Sequence, residues 1–380
     1  MVGNGFRDQL CRWAGEVGMK HLIDQTLTQV PGMVLGLSIG GVRTISAHGN
    51  RQVFGVDSPL PMTVDTSFDV GSITKVLATT ATIMRLVDVG EISLDVKASK
   101  YLGAWASTDK DPITVRDLLL HRSGLWEWRP LYICVPDPTR IVEEIARIPL
   151  RYSVGEGRHY SDLGFISLGQ ILISIASADL PTLVKDLVLQ PLGMNATRYA
   201  NPESGAPVAA TSLGDVIEKQ MVISKVPFPV PEEATQFNRW RTHVLVGEVN
   251  DGNAFHLFGG VSGHAGLFTN VDDLLTFGEA MNLSARDEGG HFGKVTREFL
   301  STGPDTGQQL GLRSWSDTYE GCTSEFFGHT GFPGVVLAFC PEHDCVATLL
   351  TNRLHCEGEI PVTELLWQPF LSAIHKQMHG

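Results

Sequence analysis

Cysteine is scarce in this chain, since only six of its 380 residues are cysteines. Cys11, Cys134 and Cys322 stand far from one another in the sequence. Secreted domains that depend on disulfides carry dense and regularly spaced cysteines, so this class is excluded and reduced thiols are expected.

The other three cysteines lie near one another towards the C-terminus. Cys340 and Cys345 flank a short polar segment that is typical of a hairpin turn, and His343 and Cys356 lie nearby in the sequence. We expect free thiols here as well. A cross-strand disulfide between Cys340 and Cys345, or an adventitious metal ion, is the alternative.

Positive charge is also in short supply. The chain has 29 lysines and arginines against 42 aspartates and glutamates, which gives a formal net charge of −13. Phosphate binding needs a basic face and an electrostatic membrane anchor needs a basic cluster, so neither partner is expected. A hydrophobic content of 43% and a charged content of 19% are typical of a soluble globular protein with one large domain or two joined domains.

Long apolar runs are missing too. Charged residues, among them Arg7, Asp8, Arg12 and Glu16, interrupt the first 20 residues, which lack the apolar core of a signal peptide. No later run reaches transmembrane length without a charge or a helix breaker. We therefore expect a cytoplasmic protein with no membrane segment, unless a signal peptide has been removed.

What the chain does contain is an apolar helical stretch with one charge near its start. From Gly71 to Met84 the only charged residue is Lys75, and the apolar residues around it cover more than one face of a helix. This pattern predicts a buried helix that ends near Gly90, with Ser72 as its N-cap. Lys75, three residues after Ser72, then lies on the same side of the first turn.

Ser72 and Lys75 together suggest nucleophilic catalysis. Burial should lower the pKa of the Lys75 ammonium, so that the neutral amine takes the proton of the Ser72 hydroxyl. The helix dipole and the free backbone N–H groups of the first turn would stabilise a developing oxyanion. The alternative is a capping serine and a lysine whose ammonium reaches the surface.

Two further stretches combine reactive side chains with a loop or turn. Tyr160, within residues 158–164, stands at a loop-to-helix junction, where its phenol can shuttle a proton if an ammonium lies nearby. Residues 326–334 are rich in glycine, contain His329 and lead into a strand, and such glycines let backbone approach a ligand closely. The alternatives are a tyrosine packed on the core and a tight turn with a surface histidine.

Helical and strand patterns follow one another in a definite order along the chain. Besides the stretch after Gly71, helices are predicted at residues 5–29, 114–121, 141–148, 164–178, 180–189, 274–281 and 362–375. Hairpins are predicted at residues 33–48 and 335–350, and loops that would border a cleft at residues 126–138 and 201–242.

This order predicts an α/β fold of the α+β type, in which an antiparallel sheet is flanked by helices. The predicted sheet domain is built from both chain ends, residues 1–75 and 255–380. A mostly helical region, residues 76–254, is inserted between them and carries the two cleft loops.

Three short motifs give the chain a resemblance to a known family. The sequences SITK at residues 72–75, YSD at residues 160–162 and HTG at residues 329–331 occur in this order. They resemble the Ser-x-x-Lys, Tyr-x-Asn and Lys-Thr-Gly or His-x-Gly motifs of the serine β-lactamase and penicillin-binding protein superfamily. Flanking stretches resemble it too, and the resemblance extends from about Val34 to the C-terminus.

The resemblance implies a β-lactamase/transpeptidase-like fold and catalytic roles for a few residues. Ser72 is the implied nucleophile, and Lys75 and Tyr160 are the implied base pair. The backbone N–H groups of Ser72 and Phe332 are implied to form the oxyanion hole. The resemblance implies neither a metal ion nor another cofactor.

The remaining motif residues are implied to bind substrate: Asp162, His329, Thr330 and Gly331. Asp162 stands where the family usually has asparagine, and an ionised carboxylate only accepts hydrogen bonds, whereas an amide also donates. A neutral His329 in place of lysine attracts a substrate carboxylate less strongly. Both departures weaken the expectation of β-lactam recognition, and Asp162 favours a substrate that carries an ammonium group.

Within the superfamily the chain is more similar to the esterases, D-aminopeptidases and low-molecular-weight carboxypeptidases, a branch related in architecture to class C β-lactamases. We therefore expect a serine hydrolase that cleaves an ester or amide, of the muropeptide or D-amino-acid kind, through an acyl-enzyme. A true β-lactamase is one alternative, and a penicillin-binding or sensor module with little turnover is another. The expected partner is a small-molecule or short-peptide substrate, and no oligomeric state is predicted.

Overall fold

The computed structural model describes residues 17–199, 205–301 and 303–379. The helix predicted at residues 5–29 is present as helix α1, Val17–Leu27. Its predicted first part, which includes Cys11, lies outside the described residues.

Twelve strands are present in the described residues. In chain order they are β1 Gly32–Ile39, β2 Val42–Gln52, β3 Leu60–Pro61, β4 Phe68–Asp69, β5 Arg198–Tyr199, β6 Ala210–Leu213, β7 Val244–Val246, β8 Leu267–Thr269, β9 Arg313–Tyr319, β10 Cys322–Gly331, β11 Val335–Cys340 and β12 Cys345–Thr351. Seven of them form one antiparallel sheet ordered β3-β2-β1-β12-β11-β10-β9, and two small sheets are ordered β4-β8-β5 and β6-β7. The two predicted hairpins are β1–β2 and β11–β12.

Helices of three kinds fill the segments between the strands. After α1, the α-helices are α2 Ala81–Asp88, α3 Val115–Leu119, α4 Leu131–Cys134, α5 Ile141–Arg147, α6 Asp162–Ala176, α7 Leu180–Val184, α8 Gln190–Leu192, α9 Val216–Ser224, α10 Val271–Arg286, α11 Val295–Ser301 and α12 Thr363–His379. The π-helical segments are Lys75–Thr80, Lys185–Leu189 and Asn253–Leu257. The 3₁₀ turns are Gly71–Ile73, Ala98–Lys100, Gly103–Trp105, Pro138–Arg140, Ala234–Gln236 and Pro341–His343.

Helices cover both faces of the large sheet because successive side chains of a strand point to opposite sides. Val335 and Leu337 of β11 belong to the core that contains α10, whereas Val336 and Ala338 belong to the core that contains α1 and α12. Helix α10 lies very close to β12, since a Cβ atom on Gly278 would come within 2.3 Å of the Val346 side chain. The sheet is therefore the middle layer of three.

Helix α3 shows how local sequence positions a segment near the site. The Thr114 hydroxyl accepts a hydrogen bond from the Asp117 N–H at 3.1 Å, and the Asp117 carboxylate accepts one from the Thr114 N–H at 2.9 Å. This reciprocal capping box makes Thr114 the N-cap of the helix that was predicted at residues 114–121. The helix ends just before His121, which contacts a catalytic candidate described below.

The region after residue 204 contains more regular structure than the sequence pattern predicts. Strand β6 and helix α9 lie within it, and Val222 of α9 packs with Trp128 and Val230 in a small core of its own. Val222 is the one fully buried residue of α9, so the helix has no apolar stripe from which it could be predicted. The peptide bond between Val226 and Pro227 is cis.

The cysteine pair behaves as expected. Cys340 and Cys345 face each other across the β11–β12 turn, and both are buried free thiols. Burial raises the pKa of the Cys340 thiol to about 11 and raises the pKa of Cys345 as well. The predictions of a hairpin and of free thiols are confirmed here.

The apolar character of the helices and the origin of the sheet strands describe how the chain is organised. In the described residues no single helix is long and apolar enough to cross a membrane, and only α6 joined to Leu180–Leu192, across an 82° bend, has the length and composition. The large sheet takes its strands from residues 32–61 and 313–351. The division into residues 1–75 with 255–380, and 76–254, stays a prediction.

Candidate active site

Ser72 lies in the first turn of a helical segment that changes type along its length. Gly71–Ile73 is a 3₁₀ turn, Lys75–Thr80 is π-helical, and α2 follows. The prediction that Ser72 is the N-cap is wrong, because the turn begins one residue earlier and Val70 occupies the capping position without a side-chain hydrogen bond. The Ser72 hydroxyl instead accepts a hydrogen bond from the Lys75 ammonium at 2.9 Å.

The Ser72 turn is packed tightly against the end of strand β10. A Cβ atom on Gly331 would lie 2.2 Å from the Val70 carbonyl oxygen, so this approach requires glycine. Gly71 has a φ of +48°, and a Cβ atom there would lie 3.3 Å from the Phe332 backbone nitrogen. The Phe332 N–H therefore lies beside the first turn of a helix, where backbone N–H groups lack intrahelical partners. Two such donors can hold an oxyanion, as the resemblance implies for Ser72 and Phe332.

Lys75 is fully buried and is surrounded by oxygen atoms. Its Nζ lies 2.7 Å from Asp162 Oδ1, 3.3 Å from the backbone oxygen of His264 and 4.9 Å from the centre of the Tyr160 ring. Burial by itself lowers the pKa of Lys75, but the attraction of Asp162 and Tyr160 outweighs it and the pKa is raised. The prediction of a lowered pKa is therefore wrong, because the residue expected to bind substrate is the partner of the lysine.

Tyr160 stands at the entry to α6, as predicted from the sequence. Its ring centre lies 4.5 Å from that of His121 and 5.7 Å from that of His329. Ser161 caps α6 with its side chain, and its backbone N–H donates to His121 Nδ1 at 2.9 Å, which fixes the peptide next to Tyr160. The Tyr160 hydroxyl is buried without a well-formed hydrogen bond to the described residues, yet it is close enough to Lys75 for their charges to interact.

The third motif contributes a neutral histidine. His329 is 3% exposed, and its Nδ1 lies 2.6 Å from the Thr330 carbonyl oxygen. Burial, and then the nearby positive charge of Lys75, lowers the pKa of His329 well below its ordinary value. The Thr330 hydroxyl accepts a hydrogen bond from Arg313 at 3.2 Å. Neither motif residue is arranged as a strong anchor for a substrate carboxylate.

A cavity of about 510 Å³ opens onto the Ser72 hydroxyl. Four of the predicted site residues line it: Ser72, Tyr160, Asp162 and Phe332. The lining does not include Lys75, His329, Thr330 or Gly331. The other walls are apolar or acidic, and they include Glu127, Trp128, Ile217, Glu218, Met221, Phe228, Asp251 and Arg353.

Two carboxylates in this wall are paired with cations. Asp162 lies against Lys75, as described above. Glu127 accepts hydrogen bonds from Arg151 at 2.8 Å and from the Tyr152 hydroxyl at 2.7 Å. The charges of both carboxylates are offset before any substrate arrives.

Arg353 is the one basic residue among the described residues that line the cavity. Its guanidinium donates to the Phe332 carbonyl oxygen at 2.9 Å and to the Pro361 carbonyl oxygen at 2.7 Å, and it lies 5.0 Å from the centre of the Phe332 ring. Burial lowers the pKa of Arg353 to about 10. Because these hydrogen bonds to backbone carbonyl oxygens occupy most of the guanidinium N–H groups, Arg353 holds the loop that carries Phe332 and has few donors left for a substrate.

Two further carboxyl groups in the wall form an acidic pair. Glu218 accepts hydrogen bonds from the Tyr132 hydroxyl at 3.0 Å and from the Gly252 N–H at 2.7 Å. Burial, and then repulsion from Asp251, raises the pKa of Glu218 to about 8. Burial also opposes ionisation of Asp251, but its pKa is lowered because His264, whose Nε2 lies 2.9 Å away, and a backbone N–H outweigh that effect.

This acidic pair and the histidine beside it were not predicted from the sequence. Asp251 and His264 each lie next to glycine in the sequence, and a carboxylate and a histidine among glycines were a usable signal. Glu218 lies on α9, which the apolar pattern does not predict. Its role follows only from the fold, which brings α9 to the cavity.

Asp162, Asp251 and His264 also bear on metal binding. One donor atom from each lies within 4.8 Å of the other two. The Lys75 ammonium, however, already lies 2.7 Å from Asp162 and supplies positive charge at this position. A further cation would be repelled by it, so we assign no metal to the candidate active site.

The chain matches the family model described as Beta-lactamase over residues 19–365. It is 30% identical over 321 residues to the N-acetylmuramyl-L-alanine amidase of Bacillus subtilis (strain 168), with 78% of this chain and 70% of that protein covered. It is 28% identical over 352 residues to a putative D-alanyl-D-alanine carboxypeptidase of Escherichia coli (strain K12), with 82% and 78% covered. The solved structure of D-amino acid amidase from Ochrobactrum anthropi SV3 matches with a TM-score of 0.68 at 19% identity, with 98% and 99% covered.

Each of these matches covers at least 78% of the chain, so they concern the fold and not one motif. The β-lactamase/transpeptidase-like fold predicted from the three motifs is confirmed. The roles of single residues stay predictions, which the geometry above makes specific. The chain is a serine hydrolase that belongs to the beta-lactamase family.

Proposed function

We propose that this enzyme cleaves an amide or ester bond through an acyl-enzyme on Ser72. The observation that carries the proposal is the 2.9 Å contact between the Ser72 hydroxyl and the Lys75 ammonium, beside a Tyr160 hydroxyl that makes no well-formed hydrogen bond to the described residues. Ser72 and Tyr160 both line the same cavity. A nucleophile, a proton acceptor and a fixed positive charge thus meet where a substrate can enter.

Because Lys75 carries its proton in the resting enzyme, we assign the proton transfer to Tyr160. The ionised Tyr160 oxygen takes the Ser72 proton while Oγ bonds to the substrate carbonyl carbon. Lys75 keeps its charge beside the tyrosine oxygen, and Asp162 holds the lysine in place. The charge that develops on the carbonyl oxygen is stabilised by the backbone N–H groups of Ser72 and Phe332.

The same tyrosine completes both halves of the reaction. The tetrahedral intermediate breaks the bond to the leaving group, and Tyr160 returns the proton to the departing amine or alcohol. A water molecule then attacks the acyl carbonyl and gives a proton to Tyr160. The second intermediate releases the acid, and Ser72 regains its proton from Tyr160.

The charge of the cavity favours a substrate with no carboxylate near the scissile bond. Of the four acidic side chains that line it, Asp251 has a lowered pKa and no lysine or arginine ion-pair partner among the described residues, and the basic lining residue Arg353 is occupied by backbone carbonyl oxygens. A substrate carboxylate would meet repulsion there, whereas a neutral or ammonium-bearing substrate would not. A relative that is named as an amidase supports the same choice. We therefore favour an amidase that acts on a muropeptide or D-amino-acid amide.

A true β-lactamase is the second candidate. The family match and the meeting of Ser72, Lys75 and Tyr160 support it. A penicillin-binding module is a related candidate, because it would also be acylated by a β-lactam but would react only once. Both require recognition of the β-lactam carboxylate, which the acidic cavity opposes.

The test compares substrates that differ in one charge. Turnover of a D-alanyl-D-alanine peptide with a free C-terminal carboxylate, of the same peptide as its C-terminal amide, and of an N-acetylmuramyl peptide is measured together with hydrolysis of a short nitrophenyl ester. Intact-protein mass after mixing with a penicillin reports the adduct, and Ser72→Ala is the control throughout. We expect ester and amide turnover that needs Ser72, with little penicillin adduct. Rapid loss of penicillin would identify a β-lactamase, and a persistent adduct would identify a penicillin-binding module. Turnover that Ser72→Ala leaves unaffected would contradict the mechanism.

A cytoplasmic location is also a proposal. The five described cysteines, all free thiols, support it. In that compartment a muropeptide amidase would recycle cell-wall fragments and would not build the wall. Fractionation of the producing cells, with activity measured in each fraction, tests the location.

A further inference from the structure

Three histidines, which we call the histidine cluster, lie together where the β11–β12 turn meets helix α12. They are His343, His375 and His379. The centre of the His379 ring lies 4.8 Å from the ring centres of both other histidines. His375 and His379 are four residues apart on α12, a spacing that places both on one helix face. The cluster therefore joins the C-terminal helix to a turn of the sheet.

Hydrogen bonds orient two of these rings towards a common point. His375 Nδ1 lies 2.7 Å from Asp317 Oδ2, so this nitrogen carries the proton and Nε2 presents its lone pair. The Ser324 hydroxyl oxygen lies 3.0 Å from His375 Nε2 and 2.8 Å from His343 Nε2. A carboxylate behind the far nitrogen of an imidazole is the arrangement that orients metal-binding histidines.

The third ring has an unused nitrogen. His379 Nε2 is buried and has no hydrogen-bond partner among the described residues. Such an atom costs free energy unless something binds it. His375 is fully buried, whereas 22% of the His343 side chain is exposed, so a small ion can reach the cluster past His343.

We propose that the histidine cluster binds a divalent transition-metal ion of the Zn²⁺ type through His343, His375 and His379. The ion would take the place of the Ser324 hydroxyl between two Nε2 atoms, and a turn of the His379 ring would bring in its nitrogen. Imidazole nitrogens are preferred ligands for such ions and rarely bind Mg²⁺. Glu342, whose carboxylate lies 4.0 Å from His343 Nε2, or a water molecule supplies the fourth ligand.

The expected role of the metal ion is structural. The cluster lies at the opposite end of β11 from the Gly331 turn, and it shares no residue with the Ser72 cavity. An ion that binds only the folded chain stabilises it by mass action. Zn²⁺ should therefore raise the unfolding temperature without changing ester turnover.

The test uses the full chain without an affinity tag, after removal of metals by a chelator. Calorimetric titration with ZnCl₂, and separately with MgCl₂, is combined with thermal unfolding and ester turnover. We expect one Zn²⁺ per chain, no Mg²⁺ binding and a higher unfolding temperature with Zn²⁺. His379→Gln and His343→Gln should each weaken Zn²⁺ binding by about tenfold or more and remove the gain in unfolding temperature. Their turnover should equal that of the parent chain.

The control variant is His291→Gln, a partly buried histidine whose Nε2 lies 2.8 Å from the Leu187 carbonyl oxygen. It should bind Zn²⁺ as the parent does. Zinc that inhibits turnover in proportion to its binding would place the ion at Asp162, Asp251 and His264 and overturn the proposal. No binding, or weak binding that all three variants reduce equally, would mean an adventitious ion only and would also overturn it.

Discussion

Two pairs of acidic side chains line the same cavity and differ in what surrounds them. Asp162 and Glu127 lie against Lys75 and Arg151, so their charges are offset. Glu218 and Asp251 lie near each other, and in the described residues no lysine or arginine is within ion-pair distance of Glu218. We expect Asp162 to hold Lys75 in place before a substrate arrives, whereas the ion pair of Glu127 with Arg151 does not involve a reacting group. In the second pair the raised pKa of Glu218 favours its neutral form, whereas Asp251 keeps its charge. We therefore expect this pair to affect which substrate binds and not the chemical step.

The largest effect should come from breaking the catalytic pair at Lys75. Lys75→Met leaves the Asp162 carboxylate without its partner, so we expect turnover to fall by about 10³-fold and the free energy of unfolding to fall by about 3 kcal/mol. Adding Asp162→Asn should restore most of the stability but none of the activity. Urea unfolding and ester hydrolysis measure the two quantities. A double variant no more stable than Lys75→Met would show that the ion pair is not what the lysine loss disrupts.

The next effect concerns Glu218 and the pH dependence of stability. The folded-state pKa of about 8 lies above the ordinary value of 4.5. Its contribution to stability is therefore fully present below pH 4.5 and is lost as the pH rises through 8. Glu218→Gln does not titrate, so its stability relative to the parent should be greater at pH 9 than at pH 5, by about 4 kcal/mol. Equal differences at both pH values, from urea unfolding, would contradict the assignment.

A smaller effect is expected from Asp162→Asn. Without this carboxylate the burial of Lys75 is less opposed, so its pKa should fall and activity should be lost at a lower pH than in the parent. The alkaline limb of kcat/KM should move down by about one pH unit. The ratio of kcat/KM for the carboxylate peptide over its amide should rise by about fivefold. If activity rises at high pH instead, neutral Lys75 and not Tyr160 takes the serine proton.

The smallest effect is expected from Glu127→Gln. This variant removes an ion-paired carboxylate from the same cavity and so serves as the counterpart of Glu218→Gln. Glu127 lines the cavity, but Arg151 already offsets its charge. Because a partly exposed ion pair is worth about 1 kcal/mol or less, turnover should change by less than about twofold. A large loss of amide turnover, measured beside Glu218→Gln, would mean that Glu127 contacts the substrate directly.

The candidate catalytic residues could be predicted because each is recognisable from the residues next to it in the sequence. Ser72 and Lys75 are three residues apart in an apolar stretch, and Tyr160 opens a clear helix. The order of helices and hairpins predicted the α+β fold for the same reason, since the capping residue Thr114 and the short apolar run of β11 indicate a helix and a strand from local sequence alone.

What could not be predicted depends on contacts between distant segments. Nothing near Lys75 in the sequence shows that the charge of Asp162 would outweigh the effect of burial on the Lys75 pKa. The predicted direction of this pKa shift was therefore wrong. Glu218 could not be found because α9 has one fully buried residue and no apolar stripe. The pairing of His343 with α12 likewise requires the folded sheet.

The β1–β12 pairing bears on how the enzyme becomes active during its synthesis. The ribosome makes β1 early, but its neighbour β12 emerges only after the whole inserted region has been made. Ser72 and Phe332, which supply the two proposed oxyanion donors, are separated in the same way and meet only when the sheet closes. A growing chain therefore has no active precursor, and a message cut before β12 should yield an inert fragment that exposes an unpaired strand edge to quality control.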